Sequence, residues 1–253
     1  MSRRGRLLLF GGAGPLLLAV LLIGLHGLPA FGDFRGAYGL LVDRVEPARR
    51  HATDIVTALN FDLRAFDTLG EEFILFASVT GVALLLRHLR DEDEATRPSR
   101  TLADHRFAGA SDATRVLSLV LIPLLVSLGV YLALHGALTP GGGFQAGVVL
   151  AAGPLAILLA GRYLALKRVA PRWALEALHA IGATAYAVIG LGGLIFATTY
   201  LENFLPLGTS GHLLSAGMMP LNSIAVGLEV TGAFLLTWTE FTDQDLLVSR
   251  GEL

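Results

Sequence analysis

The carboxylates set among apolar residues are where this sequence could do chemistry. Glu229 is the tenth of the 19 residues from Pro220 to Trp238, a run otherwise free of charge. A carboxylate at the middle of a bilayer costs about 2.5–3.5 kcal/mol on insertion scales, so it must face a protein interior and find a partner there. Asn222, Ala225, Glu229 and Gly232 recur at i, i+3, i+7 and i+10, which puts them on one face of a helix. Two readings stay open for Glu229. It is a protonated side chain that holds helices together, or it titrates in a proton or cation path or pairs with a partner protein.

A second concentration of charge runs from Asn60 to Glu72 and contains Asp62, Arg64, Asp67, Glu71 and Glu72. Thr68 with Glu71 three residues later reads as a capping box ahead of the apolar run that begins at Phe73. That run ends at Leu86, about 21 Å of helix, too short to cross a bilayer core of about 30 Å. The helix must then carry its first turn, with Gly70, Glu71 and Glu72, into the membrane. If helical geometry reaches back to Arg64, then Arg64, Asp67 and Glu71 share a face. A buried arginine flanked by two carboxylates would form a charge cluster on an ion route. The helix cap alone and the functional cluster that includes it are both open readings.

A third place is Pro140-Gly141-Gly142-Gly143-Phe144-Gln145-Ala146-Gly147. Proline and consecutive glycines break a helix. The apolar run that follows is short, so the glycines dip below the membrane surface, where irregular backbone survives only when packed in protein or lining a cavity. The motif is either a turn packed against a neighbouring helix or a coordinating loop. Glu176 and His179, at i and i+3, form a weaker candidate near one end of a span. His26, His135 and His212 stand at no ligand spacing, and no metal site, cofactor loop or nucleophile arrangement is evident, so an enzyme is not expected.

Apolar helices must position these groups. Of 253 residues, 53% are hydrophobic and only 16% charged, mean hydropathy is +0.63, and 30 are glycine. An ordinary globular domain carries about 25% charge. The expected fold is therefore all-α: a polytopic membrane protein with about six transmembrane helices. The spans are placed at Leu7–Leu28, Leu69–Leu86, Val116–His135, Gly143–Ala160, Ala174–Phe196 and Pro220–Trp238. With both termini cytoplasmic, 14 of the 19 cations fall on the inner side and 5 on the outer, which the positive-inside rule favours. Arg3-Arg4 before the first apolar run resembles a twin-arginine signal, but that run is longer than the 7–15 residues of a signal's apolar region, so a retained helix is expected.

The polar stretch Arg87–Arg115, with Asp91-Glu92-Asp93-Glu94, divides the chain. Residues 1–90 form a two-helix membrane module, 91–114 a cytoplasmic linker, 115–245 a four-helix membrane module and 246–253 a cytoplasmic tail. No internal repeat relates the modules, unlike many secondary transporters. The absence of cysteine excludes disulfides and thiolate chemistry. A net charge of -2, with no concentrated basic face, gives no case for nucleic acid.

The run Asp62-Leu63-Arg64-Ala65-Phe66-Asp67-Thr68-Leu69-Gly70-Glu71 resembles the C-terminal membrane segment of the large subunit of Mrp-type multisubunit cation/proton antiporters. The matching piece is a separate small protein in related membrane-bound hydrogenases. The run Pro140–Gly147 and the Asn222–Gly232 face resemble the MnhB-like subunit of the same antiporters. Ala65 and Ala146 depart from the pattern, where glycine is expected. The resemblance implies a fusion of the two pieces, in the cytoplasmic membrane of a bacterium or archaeon. It also implies partners: other membrane subunits of a hetero-oligomeric complex, Na+ or another monovalent cation, H+ and the lipid bilayer. The implied role is an accessory or cation-pathway subunit, because the Lys- and Glu-bearing broken helices of the main pumping subunits are absent. The same module inside a redox-driven complex, or a purely structural scaffold, are the alternatives.

Overall fold

The computed structural model describes residues 3–28, 30–33, 36–92 and 109–251. All regular structure among them is helical. The packing divides the chain into one unit over Met1–Leu40 and another over Leu41–Leu253. The first unit holds α1 (Arg3–His26), an apolar helix with Pro15 inside it. Helix α2 (Ala37–Arg50) follows and carries on into the second unit.

The second unit continues with α3 (Ile55–Ala58), a single π-turn (Leu59–Leu63) and α4 (Ala65–Glu92). Then come α5 (Asp112–Leu134), α6 (Gly143–Leu159), α7 (Tyr163–Val169), α8 (Arg172–Phe196) and α9 (Met219–Gly251). The expected linker falls largely on residues 93–108, which lie outside the described residues, as does the end of the expected tail.

Each expected span coincides with an apolar helix. Ala65–Leu86, Asp112–Leu134, Arg172–Phe196 and Met219–Asp245 are long and apolar enough to cross a membrane; Phe10–His26 and Gly143–Leu159 are apolar but shorter. The short α2, α3 and α7 have no counterpart among the expected elements. Local signals set several boundaries. The Asp54 carboxylate caps α3 by accepting from the Thr57 amide at 2.8 Å, and Ser111 caps α5 through the Thr114 amide at 3.2 Å. Pro171 precedes α8 and Gly161, at φ +76°, turns the chain between α6 and α7.

One expectation about α4 is corrected. Thr68 does not cap it, because the helix begins three residues earlier, at Ala65, directly after the π-turn. The Thr68 hydroxyl instead donates to the Asn60 carbonyl at 2.8 Å, inside the bundle. Ala65, Thr68, Glu72, Val79 and Ala83 form the buried face of α4 at near-heptad spacing.

Helix α9 is the central strut and packs against α4, α6 and α8. Lipid tails are as apolar as the side chains, so close backbone approach through small residues holds such helices together. A Cβ on Gly143 would lie 2.5 Å from the Val226 Cβ, and one on Gly147 2.5 Å from the Val230 Cβ, so α6 meets α9 at van der Waals limit. Glycines of both partners close the other interface: Gly182 of α8 lies on the backbone at Glu229, and Gly232 of α9 on the backbone at His179.

Candidate functional site

The tight α8–α9 contact and the buried face of α4 converge on three ionisable side chains. Glu72 of α4 and Glu229 of α9 are 1% and 0% exposed, and their carboxyl groups are neighbours. His179 of α8, also buried, places Nδ1 4.0 Å from the Glu229 Oε1. Its ring stacks on Phe76 with centroids 4.8 Å apart, which fixes its orientation one turn along α4 from Glu72. Neither carboxyl group nor the imidazole makes a hydrogen bond of ordinary geometry among the described residues. Buried polar groups are nearly always satisfied, and each exception calls for a reason. Two carboxylates side by side in low dielectric cannot both stay charged without a cation or a proton between them. The arrangement can therefore hold and exchange a proton or a small cation.

The surrounding residues grade toward one end of the bundle. The Tyr186 hydroxyl, close to Thr68 and Glu72, donates to the Ala65 carbonyl at 3.0 Å. Beyond it opens a polar cleft of about 510 Å³ lined by residues that include Arg50, Asp62, Arg64, Asp67 and Glu202. Arg50 Nε donates to Asp62 at 2.7 Å, yet burial still pushes the Asp62 carboxyl above its ordinary range. Glu46 of α2, almost wholly buried, is raised by its burial and then by Asp62. Glu202 is held down to about 2 by the Thr198 hydroxyl and amide and by the same two groups of Thr199, all of which donate to it.

The buried arginine cluster expected at the start of α4 is corrected. Arg64 and Asp67 do pair, but their side chains are 60% and 51% exposed, and Glu71 is exposed as well. Arg64 has non-helical dihedrals, because it ends the π-turn, and the face it begins points away from the bundle. The adjacent Glu72 is the carboxylate that turns inward. Gly70 is helical, with open space beside it.

Asn222, Ala225, Glu229 and Gly232 are all on the inner side of α9, and the buried Asn222 amide makes no hydrogen bond among the described residues. Glu176 separates from His179: its side chain is 51% exposed and pairs with Arg172 at 2.6 Å. Arg172 also reaches the buried Glu240 at 2.9 Å. The Pro140–Gly147 segment is a packed turn. Gly142 sits at φ +105°, and Gly143 and Gly147 seat α6 on α9, while Phe144 packs against the apolar core. The turn is tied to α3 and to the connection before it, because the Thr57 hydroxyl donates to the Gly136 carbonyl at 2.6 Å and the Thr53 hydroxyl to the Leu138 carbonyl at 2.6 Å.

Sequence reasoning missed Glu46, Tyr186, Glu202, Glu240 and Asp243. Asp243 accepts from the Tyr163 hydroxyl at 2.5 Å and from Lys167 at 2.6 Å. A signal existed for the last two: Glu240 and Asp243 lie on the continuation of α9 past Trp238, facing the cations Lys167 and Arg172 around α7.

Residues 113–236 match a family model described as a domain related to the MnhB subunit of Na+/H+ antiporter. An uncharacterised protein of Methanocaldococcus jannaschii is 31% identical over 204 residues, covering 72% of this chain and 76% of that protein. A Rhizobium meliloti protein, described as a probable K(+)/H(+) antiporter component of the combined A/B type, is 27% identical over 210 residues; the match covers 73% of this chain but 20% of that protein. Among solved structures, a chain of the membrane-bound sulfane sulfur reductase, an archaeal respiratory membrane complex, aligns with TM-score 0.68 and 25% identity over 93% of this chain and 97% of that one. A chain of the Mrp complex from Dietzia sp. DQ12-45-1b shares the fold, with TM-score 0.69 and 24% identity over 95% of this chain and 26% of that one. With this domain on α5–α9 and an all-helical membrane fold, the chain belongs to the family related to the MnhB subunit of Na+/H+ antiporter.

Proposed function

We propose that the chain is an accessory subunit of a multisubunit cation/proton antiporter and that Glu72, Glu229 and His179 form an ionisable station on its ion route. The observation that carries this reading is the meeting of two fully buried carboxyl groups from α4 and α9, helices on either side of residues 93–108. A scaffold needs no such pair, since isosteric apolar side chains pack helices at lower cost. The polar cleft holding Asp62, Asp67 and Glu202 is the outer entrance in this reading, which puts both termini in the cytoplasm of a bacterial or archaeal cell. Residues 1–90 correspond to the large-subunit piece and 115–245 to the MnhB-like piece, joined by the cytoplasmic linker 91–114. The cation is Na+ or another monovalent ion, and the partners are the remaining membrane subunits. The chain is not a self-sufficient antiporter and not an enzyme.

The test is Glu72→Gln and Glu229→Gln in the assembled complex, read as cation-dependent proton movement in everted vesicles and as co-purification of the other subunits. Loss of transport with assembly intact supports the reading, because an intramembrane ionisable group marks an ion or proton path. Wild-type transport in both variants overturns it, and lost assembly supports the scaffold instead.

A second reading is favoured by one observation: the archaeal respiratory complex contains a chain matched almost end to end, whereas the match covers about a quarter of the Mrp chain. Under this reading the same station serves a redox-driven pump. Co-purification with iron–sulfur or nickel proteins decides for it.

A further inference from the structure

We propose that the junction of α6 and α7 is a binding site for the headgroup of an anionic phospholipid, held by Arg162 and Arg168 with Arg115 beside them. Two adjoining clefts meet there and share Gly161 and Arg162. One, of about 330 Å³, is lined by Arg115, Leu119, Ala160, Gly161 and Arg162. The other, of about 380 Å³, is lined by Gly161, Arg162, Leu164, Ala165 and Arg168. Gly161 at φ +76° reverses the chain where α6 ends, so the Arg162 side chain lies between the start of α5 and the flank of α7.

The charge balance of this connection is uneven. Lys167 is paired with Asp243 at 2.6 Å, and Arg172 is paired with Glu176 and Glu240. Arg162 and Arg168 have no acidic partner among the described residues, although both lie within the same eleven-residue stretch. Two neighbouring cations are thus neutralised by the protein itself and two are left facing outward, into clefts of headgroup size.

The position suits a lipid rather than a soluble anion. α5 begins, α6 ends and α8 begins at this level, so the clefts lie at the membrane surface. The lining is partly apolar, through Leu119 and Leu164, and the helix ends next to it in the chain expose Leu159, Val169 and Trp173, the last a residue type enriched at headgroup depth. Basic pockets between helix ends recognise anionic headgroups through their phosphates, with acyl chains lying along the apolar flanks. Arginine suits the task, because its planar guanidinium binds phosphate oxygens in pairs.

The site is independent of the ion station, and its test reads binding rather than transport. The chain, delipidated in mild detergent, is titrated with cardiolipin, phosphatidylglycerol, phosphatidylcholine and inorganic phosphate, with retained lipid counted by native mass spectrometry and melting followed in parallel. The expected result is selective retention of the two anionic lipids with a raised melting temperature. Arg162→Gln/Arg168→Gln should weaken retention about 30-fold, the scale for two juxtamembrane cations, while Arg162→Lys/Arg168→Lys, which keeps the charge and loses the paired hydrogen bonds, should fall between that and the wild type. Equal retention of phosphatidylcholine, or undiminished binding by the Gln pair, overturns the proposal. Displacement of the lipid by millimolar phosphate overturns the lipid as occupant in favour of a free anion. Loss of partner proteins from the complex in the Gln pair, without anionic-lipid binding by the wild-type chain, overturns it in favour of an acidic partner.

Discussion

Gly182→Ala is the sharpest perturbation of the station that leaves its ionisable groups untouched. An alanine Cβ at this position would lie 2.6 Å from the Glu229 Cβ and 2.7 Å from the Ala225 carbonyl oxygen, with the Glu229 backbone nitrogen also in its path. Ordinary contact starts near 3.4 Å, and the Glu229 nitrogen would be nearest, so α8 and α9 must separate locally by about 1 Å. The obstruction is backbone, which no rotamer change relieves. A gap of this size forfeits a quarter to a half of the attraction of every atom pair it opens, and overpacking of this kind costs about 1–3 kcal/mol. The His179–Glu229 separation, already 4.0 Å, grows with it. Two measurements follow: the melting temperature of the purified chain in detergent, and transport by the complex. Both should fall. Gly70→Ala is the matched control, since nothing lies within 4 Å of a Cβ there and alanine is the better helix former by about 1 kcal/mol. If Gly182→Ala melts like the wild type and transports normally, the close helix contact does not hold the station together and the reasoning fails.

Other outcomes follow from single features. Gly142→Ala places a side chain at φ +105° and ψ 180°, a region held essentially by glycine, and should destabilise the chain by about 1–3 kcal/mol in denaturant or thermal titrations. Thr57→Val removes the donor to the buried Gly136 carbonyl and should cost about 1–3 kcal/mol, visible as faster amide exchange in residues 135–142. Glu202 has a depressed folded value near 2, so the order it gives Thr198 and Thr199 is full above its unfolded value of 4.5 and is lost only as pH falls through about 2. Intrinsic-rate-corrected protection of those two amides should therefore persist from pH 7 to pH 4 and vanish in Glu202→Gln.

The helices were legible because apolar runs of about 20 residues leave few alternatives, and each expected span falls on an apolar helix. Short pieces such as α2 and α7 carry no comparable signal, and their placement depends on partners distant in the chain, such as Asp243 for Lys167. Glu229 was legible as a carboxylate inside an apolar run. Choosing between Glu71 and Glu72 was harder, since adjacent helical residues point about 100° apart and the capping motif that would mark the helix start does not form. Period alone held the answer: Ala65, Thr68, Glu72, Val79 and Ala83 keep near-heptad spacing, with small or polar residues where a lipid-facing helix would carry bulky ones. The approach of His179 to Glu229, far apart in the chain, needed the glycine contacts of α8 and α9 and could not come from spacing.

The π-turn at Leu59–Leu63 has a consequence for how this chain can change length. It accommodates one residue more than an α-helical turn would, so it behaves as a tolerated insertion. Removing one residue there would let the turn close as ordinary helix continuing α3, but it would rotate what precedes it by about 100° about the local helix axis. Asp62 would swing away from Arg50, and Asn60 would withdraw its carbonyl from Thr68. Elsewhere in this chain loops can absorb a one-residue deletion; at this turn it would act as a phase shift, retuning which side chains meet at the mouth of the cleft while leaving the helices themselves intact.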